Sequence, residues 1–187
     1  QGVLVNALAA GRFAASDLQT AIDTDWTGEA SFIPLPGSVS RDRVWQQVTS
    51  PSRDRFLLGA LGQDGPQTGA FATCFSFWIK SPRALDDLLT DGPDAPRFIM
   101  RCYVADDCRL FLNGSPVASA RIEDADYRKL VTFEALPLRK GWNRFLIKVA
   151  ADSLAGEQPG TLAVRISSNR PEYLRQLDSA TERRDAE

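Results

Sequence analysis

An antiparallel β-sandwich with few short helices is the fold the sequence predicts, and three observations carry it. Runs of alternating apolar and polar residues recur between residues 69 and 167, and a period of two marks strands with distinct faces. Turn residues separate the runs, among them Asn113-Gly114 and Gly141-Trp142-Asn143, at the short, regular spacing of sandwich strands. Helical periodicity is confined to a few brief stretches.

The first apolar stretch, residues 1–10, lacks the basic flank of a signal peptide and reads as a strand. The chain opens without methionine, which fits an excised piece of a larger protein. Ala14 to Ile22 is a short helix candidate with Ser16 as its cap. Arg43 to Thr49 and Arg55 to Leu61 carry weaker strand patterns.

Gly69 to Lys80 alternates strictly: Phe71, Thr73, Phe75, Phe77 and Ile79 share one face, and Ala72, Cys74, Ser76, Trp78 and Lys80 the other. Ser81-Pro82 then suits the start of a turn or two of helix reaching Leu89. In Arg97 to Ala105, Phe98, Met100, Cys102 and Val104 oppose Ile99, Arg101 and Tyr103. Cys108 to Leu112 runs into Asn113-Gly114, both tolerant of positive φ, and Pro116 to Arg121 returns from that hairpin.

Lys129 to Ala135, Arg144 to Ala150 and Thr161 to Ser167 complete the set. Phe145, Ile147 and Val149 face inward in the second, and Leu162, Val164 and Ile166 in the third. Beyond Asn169 the composition turns charged, with only Tyr173, Leu174 and Leu177 as sizeable apolar groups. Residues 1–169 therefore read as the sandwich domain. Residues 170–187 read as a charged tail or linker with a short helix capped by Asn169.

Composition narrows the function. With 22 basic and 24 acidic residues and no basic stripe, nucleic acid is not an expected partner. No run reaches the roughly 18 apolar residues of a membrane-spanning helix. Histidine is absent, which excludes Ser-His-Asp and Cys-His nucleophile pairs. Cys74, Cys102 and Cys108 lack the close spacing of a zinc site. They are either buried small hydrophobes or include a Cys102–Cys108 bridge across the intervening turn. Adjacent aspartates such as Asp86-Asp87 do not set two carboxyls across a cleft, as a glycosidase requires. No enzyme is expected.

Two motifs carry a resemblance. Residues 104–114, with Asp106-Asp107 before the strand and Asn113-Gly114 after it, form the first. Residues 138–149, with Lys140-Gly141-Trp142-Asn143 before an apolar strand holding Lys148, form the second. With Asp23-Thr24-Asp25-Trp26, Gly28-Glu29-Ala30, Pro34 to Gly37 and Val44-Trp45, they resemble the galactose-binding-like (jelly-roll) accessory domains of bacterial glycoside hydrolases and related secreted proteins. The resemblance spans residues 12–167. It implies a non-catalytic carbohydrate-binding module of a larger multidomain bacterial protein, secreted or in the extracellular or periplasmic space. Its expected partners are a polysaccharide or other glycan and a neighbouring domain of the same chain. The alternative it implies is a structural sandwich that braces a catalytic domain without binding a small ligand.

Asp106-Asp107 further resembles the adjacent aspartates of PA14-type lectin domains, which hold calcium. Structural Ca²⁺ is the one cofactor implied, against a turn-capping pair facing solvent. Sugar recognition calls for an exposed aromatic ring with polar neighbours. Trp45, Trp78, Tyr103 with Arg101, and Tyr127 in its acidic loop are the binding candidates, against burial under loops or loop anchoring. Trp142 is assigned to the core by its turn motif.

Overall fold

The computed structural model describes residues 2–50, 55–58, 68–85, 95–125, 128–153 and 161–181. Their elements are β1 (Gly2–Val3), β2 (Asn6–Ala14), α1 (Leu18–Asp23), β3 (Val39–Ser40), β4 (Arg43–Val44), β5 (Gln46–Thr49), β6 (Phe56–Leu57), β7 (Thr68–Ser81) and β8 (Ile99–Val104). Then follow β9 (Asp107–Leu112), β10 (Ser115–Val117), β11 (Arg121–Ala125), β12 (Arg128–Phe133), β13 (Gly141–Ser153), β14 (Thr161–Ser167), α2 (Pro171–Leu174) and β15 (Asp178–Ala180). One sheet runs β1-β14-β8-β12-β11 with β6 beside β14, and the other β10-β9-β13-β7-β2-β5 with β15 beside β7. Every pairing among these strands is antiparallel. The protein is an all-β antiparallel sandwich. No helix among the described residues is long and apolar enough to cross a membrane.

The inward faces read from period two meet between the sheets. Phe71, Phe75, Phe77 and Ile79 of β7 and Phe145, Ile147 and Val149 of β13 pack with Met100, Cys102, Val104, Val131 and Val164 of the other sheet. Phe77 and Phe145 are register partners with stacked rings 5.2 Å apart, a cross-strand aromatic pair on the core face. Burying each such side chain stabilises the fold by about 1.5–3 kcal/mol.

A second apolar cluster lies on the outer face of the seven-stranded sheet, where sequence alternation alone predicts none. Leu8, Ala10, Phe13, Ala72, Cys74, Leu146 and Ala150 are covered there by Ala21 and Ile22 of α1 and by Trp26 and Trp45. The small side chains of β7 on this face leave room for α1 and for a strap, residues 24–45, to pack close. Phe13 stacks on Trp26 at 5.4 Å.

Several boundaries differ from the sequence expectation. α1 begins at Leu18, and Asp17 rather than Ser16 caps it, accepting the Thr20 N–H at 2.7 Å. This N–H, with the Ser16 and Thr20 hydroxyls, holds the Asp17 carboxyl below its usual range. Residues 82–85 are not helical, and the remainder of that predicted helix lies outside the described residues. Of the weak strand at Arg55 to Leu61, β6 forms and residues 59–61 lie outside the described residues. Cys74, Cys102 and Cys108 are all buried and unpaired.

The segment expected as a charged tail packs on the sandwich as far as Ala180. α2 forms there, but its cap position is Arg170. Asn169 instead accepts the Arg97 N–H at 2.6 Å and donates to the Ala95 carbonyl at 2.9 Å. Tyr173 enters the inter-sheet core, its hydroxyl 2.8 Å from Ser81 Oγ, and β15 pairs with β7. One buried aromatic and a three-residue backbone pairing hold a segment whose overall charge hides them.

Candidate functional site

At one end of the seven-stranded sheet, register sets Trp142 beside Lys80 and Arg144 beside Trp78. Phe145 faces the core, so alternation along β13 turns Arg144 and Trp142 to the outer face. Two asparagines lock the adjoining turns. Asn113, at φ 52, accepts the Arg144 N–H at 2.9 Å and donates Nδ2 to Asn143 Oδ1 at 3.0 Å. Asn143 Oδ1 also accepts the Arg139 N–H at 2.8 Å, while its Nδ2 donates to the carbonyls of Arg139 at 2.8 Å and Gly141 at 3.0 Å. Every polar atom of the buried Asn143 amide is thus satisfied.

The strap closes the site from above. The Arg144 guanidinium donates to the carbonyls of Glu29 at 2.8 Å and Ala30 at 3.2 Å, and to that of Phe32. Burial pushes the Arg144 pKa down from its ordinary value. Gly114, at φ +87, lies against the strap so closely that a Cβ would sit 2.0 Å from the Ala30 oxygen.

The result is an open cleft of about 320 Å³ lined by Ser31, Ile33, Trp78, Asn113, Arg139, Trp142 and Arg144, with Ala30 behind them. Trp142 is half-buried, whereas Trp78 is 6 % exposed and forms the floor. Lys80 Nζ stands 5.9 Å from the centre of the Trp142 ring. Among the described residues, the lining holds two indoles, two guanidiniums and no carboxylate. Such a surface can stack on a ring and donate hydrogen bonds.

Of the residues expected at a site, Trp78 lies in this cleft. Trp45 does not: it is 0 % exposed and donates Nε1 to Ser40 Oγ at 2.8 Å, so it anchors the strap to the sheet. Arg101 and Tyr103 share a face, as alternation predicts, but on the outer side of the other sheet. There the Arg165 guanidinium lies 5.2 Å from the Tyr103 ring centre, and Arg101 donates to Ser167 Oγ at 2.9 Å. Tyr127 lies outside the described residues.

Trp142, expected in the core, opens into the cleft instead. The signal was present, because extending the Phe145-Ile147-Val149 alternation back along β13 puts Trp142 outward with Arg144. Asp106 and Asp107 each accept a backbone N–H, one from a distant strand and one from the next residue. Asp106 Oδ2 accepts the Asp152 N–H at 3.2 Å, and Asp107 Oδ1 accepts the Cys108 N–H at 2.7 Å. Among the described residues, no three acidic, cysteine or histidine side chains gather as a metal-binding group.

No protein-family model and no curated protein matches the chain. Among solved structures, the chain aligns with a β-glucosidase from Kluyveromyces marxianus in complex with glucose. The alignment has 11% identity and a TM-score of 0.49, and it covers 90% of this chain and 17% of that one. A selenomethionine-labelled form of the same enzyme aligns at 14% identity and a TM-score of 0.49, covering 90% of this chain and 18% of that one. This chain therefore spans less than a fifth of the length of those chains.

Proposed function

We propose that this chain is a non-catalytic accessory module that binds carbohydrate in the Trp78–Trp142 cleft. Its parent would be a larger multidomain bacterial protein, acting outside the cytoplasm on polysaccharide or other glycans. The observation that carries this reading is the meeting of two indoles with Arg139, Asn113 and Ser31 at the open end of a rigid sandwich. A sugar ring presents C–H faces that stack on indole and hydroxyls that accept from guanidinium and amide groups. The two locked turns hold these groups in place before a ligand arrives, which lowers the ordering cost of binding.

Affinity electrophoresis of the domain on a panel of polysaccharides tests the proposal, with the Trp142→Ala variant run alongside. Retardation by one glycan class is expected, lost in the variant while its melting temperature holds. No retardation across the panel, or retardation that Trp142→Ala leaves unchanged, would remove the cleft as a sugar site.

A second reading, the brace, draws on a separate observation. Leu35, Val39 and Val44 are 54 %, 57 % and 55 % exposed, and Val39 pairs with Val44 across β3 and β4. An aliphatic group of this kind suits the face of a neighbouring domain. In the parent protein, Val39→Lys with Val44→Lys should loosen that domain, seen as faster proteolysis between the two, with glycan binding retained. Unchanged proteolysis would leave the patch without a docking role.

A further inference from the structure

We infer that the cleft selects an anionic sugar residue, one bearing a carboxylate or a sulfate ester, over its neutral counterpart; this rests on the carbohydrate-binding reading above. Local charge in the cleft differs from that of the chain. The chain as a whole has a formal net charge of −2, yet among the described residues the cleft lining contains Arg139 and Arg144 and no acidic side chain. Lys80 adds a third cation above the Trp142 ring.

Among the described residues no ion pair engages Arg139 or Arg144. Arg144 spends its donors on the backbone carbonyls of Glu29, Ala30 and Phe32. Carbonyl dipoles satisfy its hydrogen bonds but leave its charge uncancelled. The Glu29 carboxyl is committed to Lys148 at 2.6 Å. Arg139 is exposed, its backbone N–H and carbonyl are the groups tied to Asn143, and no ion pair engages its guanidinium among the described residues. Asp178 of β15 is the register partner of Lys80 and offsets part of its charge, so Arg139 and Arg144 carry the excess at the cleft.

Wall chemistry fits the same ligand. An indole takes the apolar face of a pyranose, and a guanidinium fork at its edge matches a carboxylate or sulfate with two parallel hydrogen bonds. Arg139 is the group placed to do this, with Arg144 supplying field. A neutral sugar would stack equally well but would leave the cationic groups with water as their partner.

Isothermal titration of the intact chain with trigalacturonic acid, a sulfated galactotriose and unmodified galactotriose tests this. At least one anionic trisaccharide is expected to bind about tenfold or more tighter than the neutral one. Arg139→Gln should abolish most of that preference, and raising salt from about 50 to about 300 mM should narrow it, since exposed charges are screened. Trp142→Ala should weaken all three sugars. Equal affinity for neutral and anionic sugars, both lost in Trp142→Ala, would overturn the charge inference and keep the carbohydrate-binding reading. Anionic binding that survives both substitutions would be surface electrostatics and would overturn the inference. If none of the three binds, the inference falls; the panel result then decides the wider reading.

Discussion

Lys148 Nζ lies 2.6 Å from Glu29 Oε1, with both side chains withdrawn from solvent between the seven-stranded sheet and the strap. The ammonium also donates to the Thr24 carbonyl at 2.8 Å and sits 5.7 Å from the Phe111 ring centre. The strap is braced from its own side by Asp25, whose Oδ1 accepts the N–H groups of Thr27, Gly28 and Glu29 at 3.2, 2.6 and 3.1 Å. This ion pair and the Arg144–carbonyl bonds fasten the same few residues that roof the cleft, so the site inherits its rigidity from them.

Removing one partner should therefore cost far more than removing both. Lys148→Met leaves the Glu29 carboxylate buried without its cation, a loss of about 3–5 kcal/mol. Lys148→Met with Glu29→Leu replaces the pair by apolar groups and should recover most of it. Urea unfolding of the two variants checks this. A single variant within about 1 kcal/mol of the parent would mean that the pair is not structural.

The same carboxyl gives stability a pH signature. Burial raises the Glu29 pKa above its ordinary 4.5, against the hydrogen bond and charge of Lys148, which lower it. From 4.5 up to the raised value the folded state binds the proton that the unfolded state has released. This site's contribution is therefore fully present below 4.5 and declines as pH rises through that window. Asp25 behaves oppositely. Burial works to raise it, but the three backbone N–H donors outweigh burial and hold it below 3.8. Its contribution is present above 3.8 and lost as pH falls. Glu29→Gln should flatten the decline above 4.5 and leave the acid limb unchanged. A parent curve with no such decline would contradict the burial argument.

Gly114 tests whether the strap is seated as described. A Cβ there would meet the Ala30 oxygen at 2.0 Å, on backbone that favours glycine at φ +87. Gly114→Ala should lower stability by about 2 kcal/mol or more, beyond the usual cost of positive φ alone, and should weaken glycan binding as the strap lifts. A melting temperature equal to the parent's would place the turn away from the strap.

Much of this architecture was legible in the sequence because period two reports which face is buried. β7, β8, β13 and β14 follow from it within a few residues, as does the turn at Asn113-Gly114. The outer cluster was not legible, because Ala72, Cys74 and Ser76 read equally as a solvated face or as room for a covering layer. Trp45 looked like a candidate platform since nothing local distinguishes an indole under a strap from one on a rim. For Trp142 the converse holds: its turn motif points to the core, whereas the alternation of its own strand turns it outward. Tyr173 shows a further limit, since one buried anchor in a charged segment leaves composition almost unchanged.

The three cysteines report on how tightly the scaffold is closed. Cys102 and Cys108 belong to the same inter-sheet cluster from opposite sheets. The Cys108 thiol hydrogen-bonds that of Cys102, and this contact together with burial pushes its pKa up. Burial raises Cys74 likewise. Thiols so shifted carry almost no thiolate at neutral pH, and thiolate is the reactive form. Iodoacetamide should therefore modify Cys74 and Cys108 slowly in the native protein, and Cys102 slowly because it is fully buried, whereas unfolding in urea without reductant should expose three reactive thiols. One thiol after unfolding would mean that the Cys102–Cys108 contact had been oxidised to a disulfide linking the two sheets. Rapid native modification at Cys74 would mean that the outer layer opens, which contradicts the seating of α1 and the strap over that face.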